Sequence, residues 1–298
     1  AFAFETGRID LLSRKPDGSQ FEAVFDQVFA ANGRTVYLSV QEQQSYYGWL
    51  LDLVSGEQST IPRRSSLPDL GGDGAQLYSE LGALDILDTN NMIDIYRFAP
   101  SPELVSLGDV GQVGDNHAAK MNSDLSGQRI LFKSASTNLV DGTVTSGQHL
   151  HLRNLTTATT TWVNRTEGGC PATVYAGAID PTGEHVAIIN TSRNTVYIWH
   201  EATTHCSILL IQGAIPFNIS TVELSRNARY ALISGATSRG QALWIETETL
   251  LTRDPCVTPV GESRDCQDLR LSQDGRYVAF VSSEADLVVD DTNEAGDV

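Results

Sequence analysis

Positive charge is scarce in this chain: 20 Lys plus Arg stand against 37 Asp plus Glu, a formal net charge of −17 over 298 residues. Such a surface repels phosphate backbones and anionic lipid headgroups, so nucleic acid and membrane surfaces are excluded as expected partners. Long apolar runs are missing as well. None approaches the roughly 18 residues that a membrane-spanning helix needs, and no charged-then-apolar leader opens the sequence, so a signal peptide, had one existed, would already be gone. Catalytic signatures are equally sparse: there is no G-x-S-x-G, H-E-x-x-H, P-loop or G-x-G-x-x-G. Helical periodicity is absent throughout.

What is present is a repeat. Leu271-Ser272-Gln273-Asp274-Gly275-Arg276-Tyr277-Val278-Ala279-Phe280 and Phe29-Ala30-Ala31-Asn32-Gly33-Arg34-Thr35-Val36-Tyr37-Leu38 are its clearest copies. Others centre on Gly127, Gly183 and Ala228, and a weaker one on Gly82, Tyr78 to Ile86. Each reads strand, Asx/Gly turn, strand. The turns are 45 to 56 residues apart, and the step from Gly275 through the termini to Gly33 is also 56, so six units use up the chain. Third strands follow at Gly48 to Leu53, Ile93 to Phe98 and Thr195 to His200, and fourth strands at Gln58 to Pro62, Thr159 to Val163 and Ser207 to Ile211. Four antiparallel strands per unit of this length describe a propeller blade. The expected fold is an all-β, six-bladed β-propeller in one domain over 1–298, with blades near 20–70, 71–113, 114–168, 169–215, 216–262 and 263–298 plus 1–19. Read from its end to its start, the chain runs Gly296-Asp297-Val298 into an apolar alternation, a Thr6-Gly7 turn and a second apolar run. N-terminal strands that complete the last blade replace two exposed edges with paired ones.

The turn S-x-D-G-R-x-V-A-F of 272–280, with the Ser283-to-Val298 segment after it, resembles the PD40, or WD40-like, repeat of TolB-like six-bladed propellers. The resemblance is strong at 271–298, good at 120–140 and thin at 75–98. It implies a binding scaffold or an accessory domain beside a catalytic one. The turn lacks the S-x-D-x-G-x-T-W form of a sialidase Asp box.

Three constellations carry candidate chemistry. Asp88-Thr89-Asn90-Asn91-Met92-Ile93-Asp94 and Asp291-Thr292-Asn293-Glu294-Ala295-Gly296-Asp297 share D-T-N-x-x-x-D in the loop between second and third strands. Asp88, Asn90, Asp94, Asp291, Asn293 and Asp297 offer the closely spaced oxygens that Ca²⁺ requires. The same side chains also build Asx turns, and both readings stand. Ca²⁺ is the one candidate cofactor. The second constellation is the channel mouth: seven residues before each turn position stand Asp26, Ala75, Lys120, Ala176, Thr221 and Asp268, a layer able to hold a cation, an amine or a peptide terminus. Asp26, Lys120 and Asp268 are its charged members, and His117 stands at its entrance. Third, His149 and His151 share a strand face, as a metal pair must, without an evident third ligand. Trp49, Trp199 and Trp244 read as packing between sheets. Tyr46-Tyr47, placed in a loop, is a candidate exposed aromatic patch.

Four cysteines fit an oxidising compartment. Cys256 and Cys266 bracket one connection and are expected to close it, and Cys170 with Cys206 remains by elimination. Sequons stand at Asn154, Asn164, Asn190 and Asn218. The functional expectation is an exported, non-catalytic binding or scaffold module, periplasmic, cell-surface or extracellular, presenting a propeller face to a protein, peptide or glycan. A carbohydrate-active hydrolase or lyase using channel-mouth acids is the alternative. A subunit that self-assembles head to tail by strand donation is the second.

Overall fold

The computed structural model describes residues 2–3, 8–9, 15, 17–29, 34–42, 45–61, 69–70, 76–81, 88–98, 102–141, 147–210, 217–235, 241–258, 260–284 and 286–287. A short hairpin, β1 (Phe2–Ala3) with β2 (Arg8–Ile9), comes first. Five four-stranded antiparallel sheets follow. The first contains β3 (Ala23–Phe29), β4 (Thr35–Glu42), β5 (Ser45–Asp52) and β6 (Gln58–Ile61). The second contains β7 (Asp69–Leu70), β8 (Gln76–Leu81), β9 (Ile93–Phe98) and β10 (Pro102–Leu104). The third contains β11 (Ala118–Ser123), β12 (Arg129–Ser134), β13 (His149–Asn154) and β14 (Thr159–Trp162). The fourth contains β15 (Val174–Ile179), β16 (His185–Asn190), β17 (Val196–His200) and β18 (His205–Leu210). The fifth contains β19 (Ile219–Leu224), β20 (Tyr230–Gly235), β21 (Ala242–Glu246) and β22 (Leu251–Arg253). A two-stranded sheet of β23 (Gln267–Leu271) and β24 (Val278–Val281) ends the series. Every sheet runs in sequence order from one edge to the other, so each is a simple meander.

The second strand shows how the sheets pack. A half-buried strand alternates apolar and polar residues, whereas Val186, Ala187, Ile188 and Ile189 in β16 are successive and all buried, as are Ala231, Leu232 and Ile233 in β20. Consecutive burial requires cover on both faces. Neighbouring sheets provide it. One apolar cluster joins Leu131, Leu150 and Leu152 of the third sheet to Val186, Ile188 and Trp199 of the fourth. Another joins Ile189 and Ile198 of the fourth to Val222, Ala231 and Ile233 of the fifth. Similar clusters join the second sheet to the third and the fifth to the β23–β24 pair. Of the three tryptophans expected to pack between sheets, Trp199 does so in the cluster joining the third and fourth sheets, Trp49 is buried among residues of the first sheet, and Trp244 is half-buried, stacked on Tyr230 with its Nε1 donating to the Gly275 carbonyl at 2.8 Å.

Turn chemistry fixes the hairpins at the repeat. Asp124 Oδ1 accepts from the amides of Gln128 at 3.0 Å and Arg129 at 2.9 Å, while Ser126 Oγ donates to its Oδ2 at 2.5 Å. Asp180 repeats the clamp one sheet later, accepting from Glu184 N and His185 N, with Thr182 Oγ1 donating at 2.7 Å. Gly127, Gly183 and Gly275 supply the left-handed residue, at φ 66°, 80° and 72°.

Three expectations change. In the second unit, β8 pairs with β9 from Gln76 opposite Phe98 to Leu81 opposite Ile93, and with β7 on its other side. The Tyr78-to-Leu81 segment is therefore a second strand rather than a first, and Gly82, outside the described residues, does not stand between the first two strands. Tyr46 and Tyr47 lie in β5 and not in a loop. Tyr47 packs edge-on against Phe21 at 6.3 Å, in the first sheet's own core. Finally, no pairing joins the β1–β2 hairpin to β24 among the described residues, so the closing sheet expected at the termini is not found there.

Candidate binding sites

The residues expected at a channel mouth fall, where described, in the first strand of their sheets. Asp26 in β3 stands opposite Ser39, Lys120 in β11 opposite Phe132, and Asp268 lies in β23 with an exposed side chain and φ of 50°. The backbone there has a shared irregularity. Pairing slips between Val24 and Asp26, Lys120 and Asn122, Val174 and Ala176, Ile219 and Thr221, and Gln267 and Arg270. A bulge breaks the ladder and re-aims the side chains beside it. It recurs in five first strands next to the layer residue, just before Asp26, Ala176 and Thr221, just after Lys120, and across Asp268 itself. Ala75, the sixth member, lies outside the described residues.

His117 belongs elsewhere. Its Nδ1 accepts from the amide of Ile93 at 2.8 Å, which ties it to the 88–94 loop. In that loop Asn90 Oδ1 accepts from Met92 N at 2.7 Å, an Asx turn. Asn90 Nδ2 donates to Asp94 Oδ2 at 2.8 Å and to the Gly114 carbonyl at 2.7 Å. Asp94 Oδ1 accepts from Ser106 Oγ at 2.6 Å. Burial pushes the Asp94 carboxyl above the usual range, although these two hydrogen bonds act against it. Asp88 accepts from the Tyr96 hydroxyl through one oxygen, and its other oxygen is buried with no partner. A cation here would have to take Asn90 and Asp94 from each other, and the unpaired Asp88 oxygen is the one ligand already waiting. Among the described residues no three His, Cys, Asp or Glu are grouped to hold a metal ion. Asp291, Asn293 and Asp297 lie outside the described residues.

His149 and His151 do share a face, and it is a dry one. Both are buried. His149 sits edge-on to Trp162 at 4.9 Å, and its Nδ1 is 3.3 Å from Asn164 Nδ2. His151 stacks on Phe132 at 5.3 Å, and neither of its ring nitrogens has a hydrogen-bond partner. Burial, followed by the charges of His149 and Arg165, drives the His151 pKa down to about 3, so the ring is neutral. Asn164, one of the sequon asparagines, is buried too: Oδ1 accepts from Leu150 N at 2.8 Å and from Trp162 Nε1 at 3.1 Å. An asparagine held this way cannot carry a glycan in the folded chain. The structure bonds Cys170 to Cys206 and Cys256 to Cys266.

Sequence reading missed a row of three histidines. His185 in β16 is the cross-strand neighbour of His200 in β17, which is the neighbour of His205 in β18. The first two rings meet edge-on at 4.9 Å. They open on a groove of about 480 Å³, whose other wall is the Arg226-to-Arg229 turn of the fifth sheet.

No protein-family model matches the chain, and no curated protein matches it in sequence. Solved structures do. A prolyl endopeptidase structure aligns with a TM-score of 0.59 at 9% identity, over 87% of this chain and 38% of that one. An oligogalacturonate lyase in complex with manganese aligns at 0.56 and 13%, over 86% and 70%. A putative TolB from Agrobacterium tumefaciens gives 0.50 and 9%, over 78% and 80%, and TolB from Acinetobacter baumannii 0.48 and 12%, over 81% and 58%. The fold is a β-propeller. At these identities the likeness speaks for the fold and for nothing finer, since propellers host binding and catalysis alike. The propeller spans 58% of the Acinetobacter TolB chain and 38% of the endopeptidase chain, less than two thirds of either.

Proposed function

We propose that the chain is a six-bladed propeller of the TolB-like kind, acting as an exported, non-catalytic module that presents its channel mouth to a protein, peptide or glycan. The observation that carries this reading is the bulge recurring in five first strands. First strands line a propeller's channel, and an irregularity that recurs beside one layer of them singles out that layer, whose acidic members are Asp26 and Asp268. For the sixth blade, the β23–β24 pair would supply the inner half and the β1–β2 hairpin the outer half. Two disulfides support export, because such bonds persist in oxidising compartments.

The test is a peptide and glycan array probed with the parent and with an Asp26→Ala/Asp268→Ala double variant. Binding by the parent that the variant loses is the expected result. Equal binding by both would remove the mouth from the reading. Release of new reducing ends or unsaturated sugars from acidic polysaccharide, lost in Asp268→Ala, would replace it with the lyase or hydrolase alternative. The Ca²⁺ question is separable. A ligand bound only by the native state raises the unfolding midpoint, so a midpoint higher in millimolar Ca²⁺ than in EDTA, and flat in Asp88→Asn, would assign the ion to the 88–94 loop.

A further inference from the structure

The chain's own repeats act as controls for one another, and the fifth departs from the rest. The turn between the first two strands of the last sheet reads Ser272-Gln273-Asp274-Gly275-Arg276-Tyr277, and its counterpart in the fifth sheet reads Ser225-Arg226-Asn227-Ala228-Arg229-Tyr230. Position by position, Gln is replaced by Arg, Asp by Asn and Gly by Ala. One negative charge is lost and one positive charge gained in a protein of net charge −17. The hydrogen-bond frame is kept, Ala228 N–H donating to the Ser225 carbonyl as Gly275 N–H does to Ser272, but the backbone now passes through two left-handed residues, Asn227 at φ 59° and Ala228 at φ 49°, where the last sheet's turn has Gly275 alone. Gly127, Gly183 and Gly275 occupy the left-handed region in the other turns, so Ala228 holds it under strain that a glycine would relieve. Strain of this kind collects at functional sites.

This altered turn is the one that walls the groove between the fourth and fifth sheets. Arg226 and Arg229 stand on one side and His185 and His200 on the other, with Ile208 as an apolar strip on the outermost strand of the fourth sheet. Their counter-charges are partly accounted for. Arg229 lies 3.5 Å from Glu246, and His185 Nδ1 lies 3.3 Å from Asp180 Oδ2. Among the described residues Glu248 is the one carboxylate on the groove wall. The Arg226 side chain, which is exposed, makes no ion pair and no hydrogen bond among the described residues.

The geometry points to a binding site for a small oxyanion-bearing molecule, a carboxylate or a phosphate, held by Arg226 and His200 with its apolar part along Ile208. Guanidinium presents a planar fork of donors that matches such oxyanions. A groove of about 480 Å³ also lies in the size range of small-molecule sites. This site is independent of the channel mouth and does not rest on it.

The experiment is isothermal titration of the full chain with sodium phosphate and, separately, with citrate, at an ionic strength held constant with NaCl. Variants Arg226→Gln and His200→Gln are compared with Arg276→Gln, which removes the same charge from the equivalent turn of the last sheet. At least one anion should bind the parent, with affinity at least tenfold weaker in Arg226→Gln and several-fold weaker in His200→Gln, and within twofold of the parent in Arg276→Gln. Phosphate alone, or citrate alone, would identify the class of oxyanion. Heat no greater than the NaCl control with both anions, or equal losses in Arg226→Gln and Arg276→Gln, would overturn the proposal.

Discussion

Replacing His151 with leucine should stabilise the propeller, and increasingly so as the pH falls. The ring is fully buried, and neither nitrogen has a partner. Leaving a buried donor or acceptor unsatisfied costs on the order of 1–3 kcal/mol. Leucine has a similar volume and no polar atom, but it forfeits the stacking on Phe132, an interaction of about 0.5–1.5 kcal/mol. The net gain near pH 7.5 is therefore about 1 kcal/mol. The pH dependence is sharper. Burial lowers the folded-state value to about 3 from an ordinary 6.5, so on acidification the unfolded chain takes up this proton first. The stability that His151 contributes by staying neutral is complete above pH 6.5 and is lost progressively down to about pH 3. Linkage makes the loss about 1.4 kcal/mol by pH 5.5, still above the isoelectric point near 4.6. Urea unfolding of the parent and His151→Leu at pH 7.5 and 5.5 gives the stability difference at each pH, and groups common to both proteins cancel in the comparison. The advantage of the variant should widen by about 1.4 kcal/mol. A difference that stays the same within about 0.3 kcal/mol would refute the buried, neutral, unpartnered ring.

Gly275→Ala should destabilise by about 2 kcal/mol or more, because φ is 72° and a Cβ would stand 2.1 Å from the Tyr230 ring, which is itself stacked on Trp244; a midpoint in urea equal to the parent's would contradict this. Asp124→Ala removes the acceptor for two backbone amides and one hydroxyl in a buried turn and should cost about 2–3 kcal/mol, with hydrogen exchange quickening first at Gln128 and Arg129. Reduction should lower the thermal midpoint in two separable parts. By loop-closure entropy the Cys170–Cys206 bond, with a separation of 36, contributes about 4 kcal/mol, and Cys256–Cys266, with a separation of 10, about 3 kcal/mol. Cys170→Ser/Cys206→Ser should therefore unfold below Cys256→Ser/Cys266→Ser, and the reverse order would show that native-state effects dominate.

Much of the architecture could be read from the chain because its causes are local. Asp124 and Asp180 clamp amides only four and five residues away, so the turn is written within a single stretch of sequence. The second unit shows the limit of local signals: the sequence reads Gly82 as the turn between the first two strands, whereas Gln76–Leu81 is itself the second strand. Only the pairing of β8 with both β7 and β9 decides, and the β8–β9 partners, from Leu81 with Ile93 to Gln76 with Phe98, stand well apart in the chain.

The candidate sites divide in the same way. Sequence alone determined the unit, its turn chemistry, its repetition, the acidic surface, and the alternation that puts His149 and His151 on one strand face. It could not say whether that face is wet, because the answer lies in which aromatic side chains close over it. Nor could it show that His185, His200 and His205 form a row, which depends on the registers of β16 with β17 and of β17 with β18. It held the altered turn at 225–229 in plain view, but a departure from a repeat acquires chemical meaning only when tertiary packing places something opposite it. Here the fourth sheet supplies two imidazoles and an apolar strip across the groove. Local hydrogen bonding selects a strand or a turn over a few residues. Desolvation and the meeting of charges require surfaces brought together by the stacking of whole sheets, and that stacking made one histidine a buried neutral ring and another part of the wall of a groove that Arg226 and Arg229 face.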